Sequence, residues 1–231
     1  GMAKKKTVKK ITILLAILLM PSIIYLFLST GEYNYQDLPY IGPEKVVNGE
    51  VSKHKIPDFS FVNQNGDTIT QEDFKGKIYV ADFFFATCPS ICPKMATHLF
   101  EVQKRMEGRK DFAILSHTVN PEHDSVEVLK AYAKKVHADD RIWHFVTGEK
   151  EALYDIAFEG YFASASRDSL APGGFLHSSN LFLIDREGHI RGTFDDFGNI
   201  KPAFDGTSTT EMKKLLDAIN NLYLEEYVPK K

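Results

Sequence analysis

The chain has 231 residues, 43% of them hydrophobic, with 28 Lys and Arg against 31 Asp and Glu. That length suits a membrane segment plus one domain of ordinary size, and two cysteines are too few for a disulfide-stapled scaffold. Five lysines (Lys4, Lys5, Lys6, Lys9 and Lys10) precede an apolar run; without them the balance is 23 basic to 31 acidic, or −8. That surplus argues against nucleic-acid binding by the folded part and suits partners with basic or neutral surfaces.

Residues 11–28 carry no charge, and their 18 positions lie near the lower limit for a bilayer-spanning helix. Lysines before the run and Glu32 and Asp37 after it place the N-terminus in the cytoplasm and the rest outside. Pro21 falls inside the run and predicts a kink. A cleaved signal peptide is the competing interpretation, but its apolar stretch is typically only about 7–15 residues and no A-x-A site follows here. The expected organisation is therefore a cytoplasmic basic tail over 1–10, an anchor over 11–28, a tether over 29–53, a folded domain over 54–226 and a short tail over 227–231.

Within the domain, residues 59–62 and 68–70 flank Asn65-Gly66, a hairpin signal. Residues 78–85 are apolar except for Asp82, as a central strand buried on both faces would be. Pro93 is suited to opening a helix that reaches Arg105. Residues 112–119 read as a strand, and Asp124 or Ser125 as the cap of a helix to Val136. A short strand over 142–147 and a helix over 149–158 follow. Residues 160–176 read as a loop, 181–184 and 190–194 as a final hairpin, and Ser208-Thr209-Thr210-Glu211 as the capping box of a last helix. Alternating strands and helices define an α/β class with a central mixed sheet flanked by helices.

The chemistry concentrates in Ala86-Thr87-Cys88-Pro89-Ser90-Ile91-Cys92-Pro93. Both cysteines fall where a central strand ends and a helix begins, the place where open α/β sheets build sites. A helix N-terminus favours thiolate, and two cysteines at i and i+4 can oxidise to a disulfide or grip one soft cation such as Cu(I) or Zn(II). Two buried, inert cysteines are the bland alternative, and the flanking prolines weigh against it. A histidine is the natural third ligand. His54, His98, His123, His137, His144 and His189 read as solvated or hydrogen-bonded surface residues, and His117 as a core residue. His177 follows Gly173-Gly174 and directly precedes a buried strand, which singles it out.

These residues resemble the Sco/SenC family, membrane-tethered thioredoxin-like proteins that assist the copper centre of cytochrome c oxidase. The family pattern C-P-x-x-C-P is matched by Cys88, Pro89, Cys92 and Pro93. His177-Ser178 with Phe182-Leu183-Ile184 and Gly188 matches its histidine segment, and Asn120-Pro121-Glu122-His123-Asp124 its D-P-x-x-D stretch. The sequence departs from the pattern at Asn120 and Leu176, where the family usually has Asp. The resemblance implies a thioredoxin-like fold and copper held by Cys88, Cys92 and His177, with Cys88 and Cys92 also a redox pair whose disulfide form blocks loading. It implies a copper-bearing oxidase subunit as partner, a periplasm-facing domain and a thiol reductant protein to keep the pair reduced. The alternative implied role is a thiol-disulfide oxidoreductase that reduces the cysteines of the oxidase copper site or of other exported proteins.

Overall fold

The computed structural model describes residues 2–29, 36–47, 49–163 and 178–225. The chain divides into two compact units, Gly1–Gln36 and Asp37–Lys231. The first holds one helix, α1 (Met2–Ser29), which runs through Pro21. Its apolar side chains are exposed on every side over 13–25, from Ile13 (52%) to Tyr25 (73%). Among the described residues no helix is long and apolar enough to cross a membrane.

The second unit is built on an eight-stranded mixed sheet. After a small ribbon of β1 (Lys45–Val47) and β2 (Glu50–Ser52), the strands in chain order are β3 (Ser60–Asn63), β4 (Thr68–Thr70), β5 (Ile78–Phe84), β6 (Phe112–Thr118), β7 (Trp143–Thr147), β8 (Asn180–Ile184) and β9 (Ile190–Arg191). β10 (Thr193–Phe194), β11 (Ile200–Lys201) and β12 (Phe204–Asp205) complete the set. The sheet order is β12-β8-β5-β6-β7-β3-β4, with β9 paired to β8. β5, β6 and β7 run parallel, while β8 and β3 flank them antiparallel.

Every residue of β5 and β6 is buried. Near-continuous apolar runs do this because crossover helices cover both faces of a parallel sheet. The helices are α2 (Ile91–Met106), α3 (Val126–Lys135), α4 (Lys150–Asp155), which continues as a π turn over Ile156–Gly160, and α5 (Thr209–Glu225). α2 packs on α5, and α3 lies against β3 and β7. At the β3–β4 hairpin Gly66 takes φ +84°, as the Asn-Gly signal requires. Ser208 Oγ accepts from the Glu211 N–H at 3.3 Å, one half of the expected capping box; the Ser208 N–H goes to Asp205 O (3.1 Å) and the Glu211 carboxylate to Lys201 (2.6 Å).

Three expectations are sharpened by the structure. The tether expected over 29–53, partly packed on the domain, is grouped with the packed body from Asp37 onward. Leu38 is 3% exposed, the Ile41 N–H donates to Ile190 O (3.0 Å), and the Gly192 N–H to Pro39 O (2.8 Å). A few anchored residues have no periodicity to betray them. Second, the strand expected over 190–194 breaks at Gly192 into β9, which pairs antiparallel with β8 as the expected hairpin, and β10, which pairs with β11. A Cβ on Gly192 would sit 2.5 Å from Lys201 O, so the chain crosses there only as glycine. Third, α2 starts at Ile91, leaving Pro93 inside its first turn, where a missing N–H costs nothing. Of the loop expected over 160–176, residues 164–176 lie outside the described residues.

The ends of the body are tied by Arg191, which is 1% exposed. Its guanidinium donates to Leu38 O (3.2 and 2.9 Å), Asp185 Oδ2 (3.2 Å) and both carboxylate oxygens of Glu225 (2.9 and 2.5 Å). The ring of Tyr40 covers it at 4.1 Å.

Candidate metal and redox centre

β5 ends at Phe84 and α2 begins at Ile91, so the dithiol segment bridges the carboxyl end of a central strand and a helix N-terminus. A tight turn, the Cys88 N–H on Phe85 O at 3.0 Å, reverses the chain after the strand. Cys92 lies in the first helical turn, with Cys88 just before it. Ser90 stands at the N-cap without making a side-chain cap bond; its hydroxyl instead lies 3.9 Å from Cys88 Sγ. Both cysteines are free thiols, 7% and 5% exposed.

The two sulfurs differ electrostatically. Burial pushes the Cys88 thiol up, but hydrogen bonds from the Cys92 thiol, the backbone N–H groups of Ser90 and Cys92, and the Ser90 hydroxyl outweigh it. The net shift is downward. Two of these donors, the backbone N–H groups of Ser90 and Cys92, belong to the helix start and converge on one sulfur. Cys92 moves the other way: burial, the shared hydrogen bond with Cys88, and the nearby charges of Cys88 and Asp82 all favour its protonated form over the one bond offered by the Phe85 N–H. The surroundings therefore favour the thiolate at Cys88 and the thiol at Cys92.

Two buried carboxylates support this segment. Asp124 is fully buried; its carboxylate accepts from the Ala86 N–H (3.0 Å), the Thr118 hydroxyl (2.5 Å) and His123 Nδ1 (2.9 Å). It thereby fixes the approach to Cys88 from the loop after β6. Of the two candidate caps for α3 it is Ser125 that caps, and Asp124 turns inward. The D-P-x-x-D stretch was the signal for it. Asp82, the lone charge in β5, accepts from the Ser116 hydroxyl, which in turn accepts from Trp143 Nε1 (2.8 Å). Burial raises its pKa to about 7 against that hydrogen bond.

The histidines sort as follows. His177 lies outside the described residues, so the structure neither brings it to the sulfurs nor keeps it away. His117 is a core residue, 0% exposed and stacked on Phe83 at 4.9 Å; its Nδ1–H donates to Asp82 O (3.2 Å). His54 and His98 bond the carbonyls of Gly160 and Gly206. His189 is not a surface residue: it is 7% exposed and bonded to His54 O at 2.8 Å. His144 also departs from the surface expectation, since its Nδ1 is buried without a partner among the described residues. Among the described residues no group of three or more His, Cys, Asp or Glu could hold a metal ion. What they supply is a two-sulfur site.

A buried dithiol at the end of a central strand, on a mixed sheet with helices packed on it, defines a thioredoxin-like protein with a redox-capable or metal-capable pair. The profile of the SCO1/SenC family matches residues 48–211, and the chain belongs to that family. A SCO2-like protein of Rickettsia felis is 29% identical over 196 residues, covering 81% of this chain and 89% of the relative. A SCO1/SenC family lipoprotein from Bacillus anthracis superposes with a TM-score of 0.62 at 27% identity, over 74% of this chain and 95% of its own. BsSco, a member of the Sco family of cytochrome c oxidase assembly proteins for which a disulfide switch has been identified, superposes with a TM-score of 0.59. It is 26% identical over 73% of this chain and 93% of its own.

Proposed function

We propose that this protein is a copper-binding assembly factor for cytochrome c oxidase, with Cys88, Cys92 and His177 as the ligands of the copper it carries. The observation that carries the reading is the pair of adjacent, buried sulfurs at the start of α2. Soft thiolates select Cu(I) over hard cations, and no carboxylate bonds to either sulfur among the described residues to suit calcium or magnesium instead. The helix N–H groups stabilise the negative charge that a bound thiolate keeps, and family membership supports the same assignment. His177 would add nitrogen as a third ligand, from the segment that leads into β8.

Oxidation of the pair to a disulfide consumes both thiolates, so the redox state of Cys88 and Cys92 gates loading, a reading that the disulfide switch identified in BsSco supports. The receiver is the copper-bearing subunit of the oxidase, and a thiol reductant protein keeps the pair reduced. The uncharged run 11–28, taken whole, serves as an uncleaved membrane anchor with the N-terminus in the cytoplasm and the body facing the periplasm, although the described residues alone make no helix long and apolar enough to cross. Eighteen uncharged positions preceded by five lysines support that orientation.

The split between the two thiols favours a second role at the same site. Cys88, the thiol whose ionised form its surroundings favour, attacks a disulfide of the partner as thiolate; Cys92, once deprotonated, attacks Cys88 Sγ and releases the partner as a dithiol. The chemistry is that of a reductase preparing the cysteines of the oxidase site.

The ligand assignment is tested with His177→Ala. The variant is expected to hold Cu(I) about tenfold or more weakly in a competition titration, while its disulfide forms as in the parent. Unchanged Cu(I) affinity would remove His177 from the site.

A further inference from the structure

A groove of about 320 Å³ lies between the start of β3 and α4 with its π turn, and no residue of the dithiol segment lines it. Its floor is apolar: Phe59, Phe61 and Ile156 are 8%, 3% and 5% exposed. Its rim carries three exposed carboxylates, Asp58 on one wall and Asp155 and Glu159 on the other. None of the three has a hydrogen bond or an ion pair among the described residues, and no Lys, Arg or His is among the described lining residues. Asp155 and Glu159 stand one turn apart where α4 widens into the π turn, and like charges so placed repel each other until a cation comes between them. π turns are rare and recur at functional sites.

The β3 wall of the groove is also an open strand edge. β7 pairs with β3 at Val62 and Asn63 and ends there, so Ser60 and Phe61 have strand partners on the β4 side alone among the described residues. The chain leaves β7 through Gly148, where a Cβ would lie 2.8 Å from the Phe61 ring, and returns as α4. An extended segment adds to such an edge through main-chain hydrogen bonds and turns alternate side chains into the pocket beside it. The volume, at the low end of the range of about 300–1,000 Å³ typical of ligand pockets, suits a few side chains and no folded element. We infer that this groove seats an extended segment of a partner protein in which apolar residues alternate with lysine or arginine. The apolar residues rest on Phe59, Phe61 and Ile156, and the cations meet Asp58, Asp155 and Glu159. The acidic surplus of −8 beyond the first ten residues thereby acquires a definite docking place. The inference is independent of the copper assignment.

The test uses the full chain in a non-ionic detergent and three blocked, dye-labelled heptapeptides whose binding is read by fluorescence anisotropy. One alternates Val and Lys, one Val and Glu, one Ser and Lys. The Val–Lys peptide is expected to bind about fivefold or more tightly than either of the others. Asp155→Lys with Glu159→Lys should abolish its advantage over the Val–Glu peptide. The near-isosteric pair Asp155→Asn with Glu159→Gln, which spares the helix a charge reversal, should weaken Val–Lys binding about threefold. Glu101→Lys with Glu107→Lys changes the net charge as much as the first pair at exposed positions outside the groove, and should leave the ranking of the peptides unchanged.

Equal affinities for the three peptides, or a Val–Lys preference untouched by both groove pairs, would overturn the assignment. An equal loss in the Glu101, Glu107 pair would reduce the effect to total charge and overturn it too. Self-association of the full chain that the Val–Lys peptide displaces would make a second copy the occupant and overturn it as well. None of these readouts needs copper or a reaction at Cys88, so loss of the groove and loss of the copper assignment are separate results.

Discussion

Asp82, in β5 and acting electrostatically on Cys92, is 3% exposed, and Asp82→Asn should reveal a buried titration through the stability of the fold. Burial raises the Asp82 carboxyl to about 7 from an ordinary 3.8. A carboxyl with a raised folded pKa keeps its proton in the native state while the unfolded chain has lost it. It therefore costs nothing below pH 4, and its penalty grows as pH rises through the interval up to about 7. The interval of roughly three pH units corresponds to about 4 kcal/mol at 1.36 kcal/mol per unit. Asparagine never ionises and carries no such penalty. The stability of Asp82→Asn minus that of the parent should therefore rise by about 4 kcal/mol between pH 4 and pH 8, and the contributions of the other carboxylates should cancel in the difference. The assay is urea unfolding at closely spaced pH values with the thiols kept reduced. A constant offset, from the extra donor that asparagine brings, leaves the slope intact. A difference curve that is flat from pH 4 to 8 would refute the buried, protonated carboxyl.

The neighbouring His117 works in the opposite direction: burial lowers its pKa to about 4, so stability is lost as pH falls from 6.5 to 4, by about 3 kcal/mol, and His117→Gln should remove that loss in the same assay. At pH 7 Cys88 should be alkylated by iodoacetamide before Cys92, as read by mass spectrometry of the digested chain; equal labelling would contradict the asymmetry of the pair. Arg191→Met should lower the urea midpoint by an amount equivalent to about 3 kcal/mol, because Asp185 and Glu225 lose their buried cation; a loss under about 1 kcal/mol would show that the two ends of the body are held elsewhere.

The strands that position the site were legible because they are buried on both faces. Residues 78–84 and 112–118 leave no other reading for apolar runs of that length next to helical patterns. The dithiol was legible for a chemical reason: two cysteines flanked by prolines at a strand-to-helix junction have few bland uses. What stayed hidden depends on partners distant in sequence. Asp124 reads as a helix cap until Ala86 N–H and the Thr118 hydroxyl are seen on its carboxylate. Nothing in the sequence singles out Arg191, and only the fold brings Leu38 O and Glu225 to it. The hydrogen bonds that separate the two thiols also come from backbone groups, which no side-chain pattern records. His177 was found by its place before a buried strand, and its role rests on the proposal above.

That Cys88 and Cys92 hold copper between them is tested most directly by an anaerobic Cu(I) competition titration of the reduced full chain beside the Cys88→Ser, Cys92→Ser double variant. A single tightly held Cu(I) per chain in the parent, lost in the double variant while the fold persists, is the predicted result. Equal Cu(I) retention by both chains, or none by either, would contradict it.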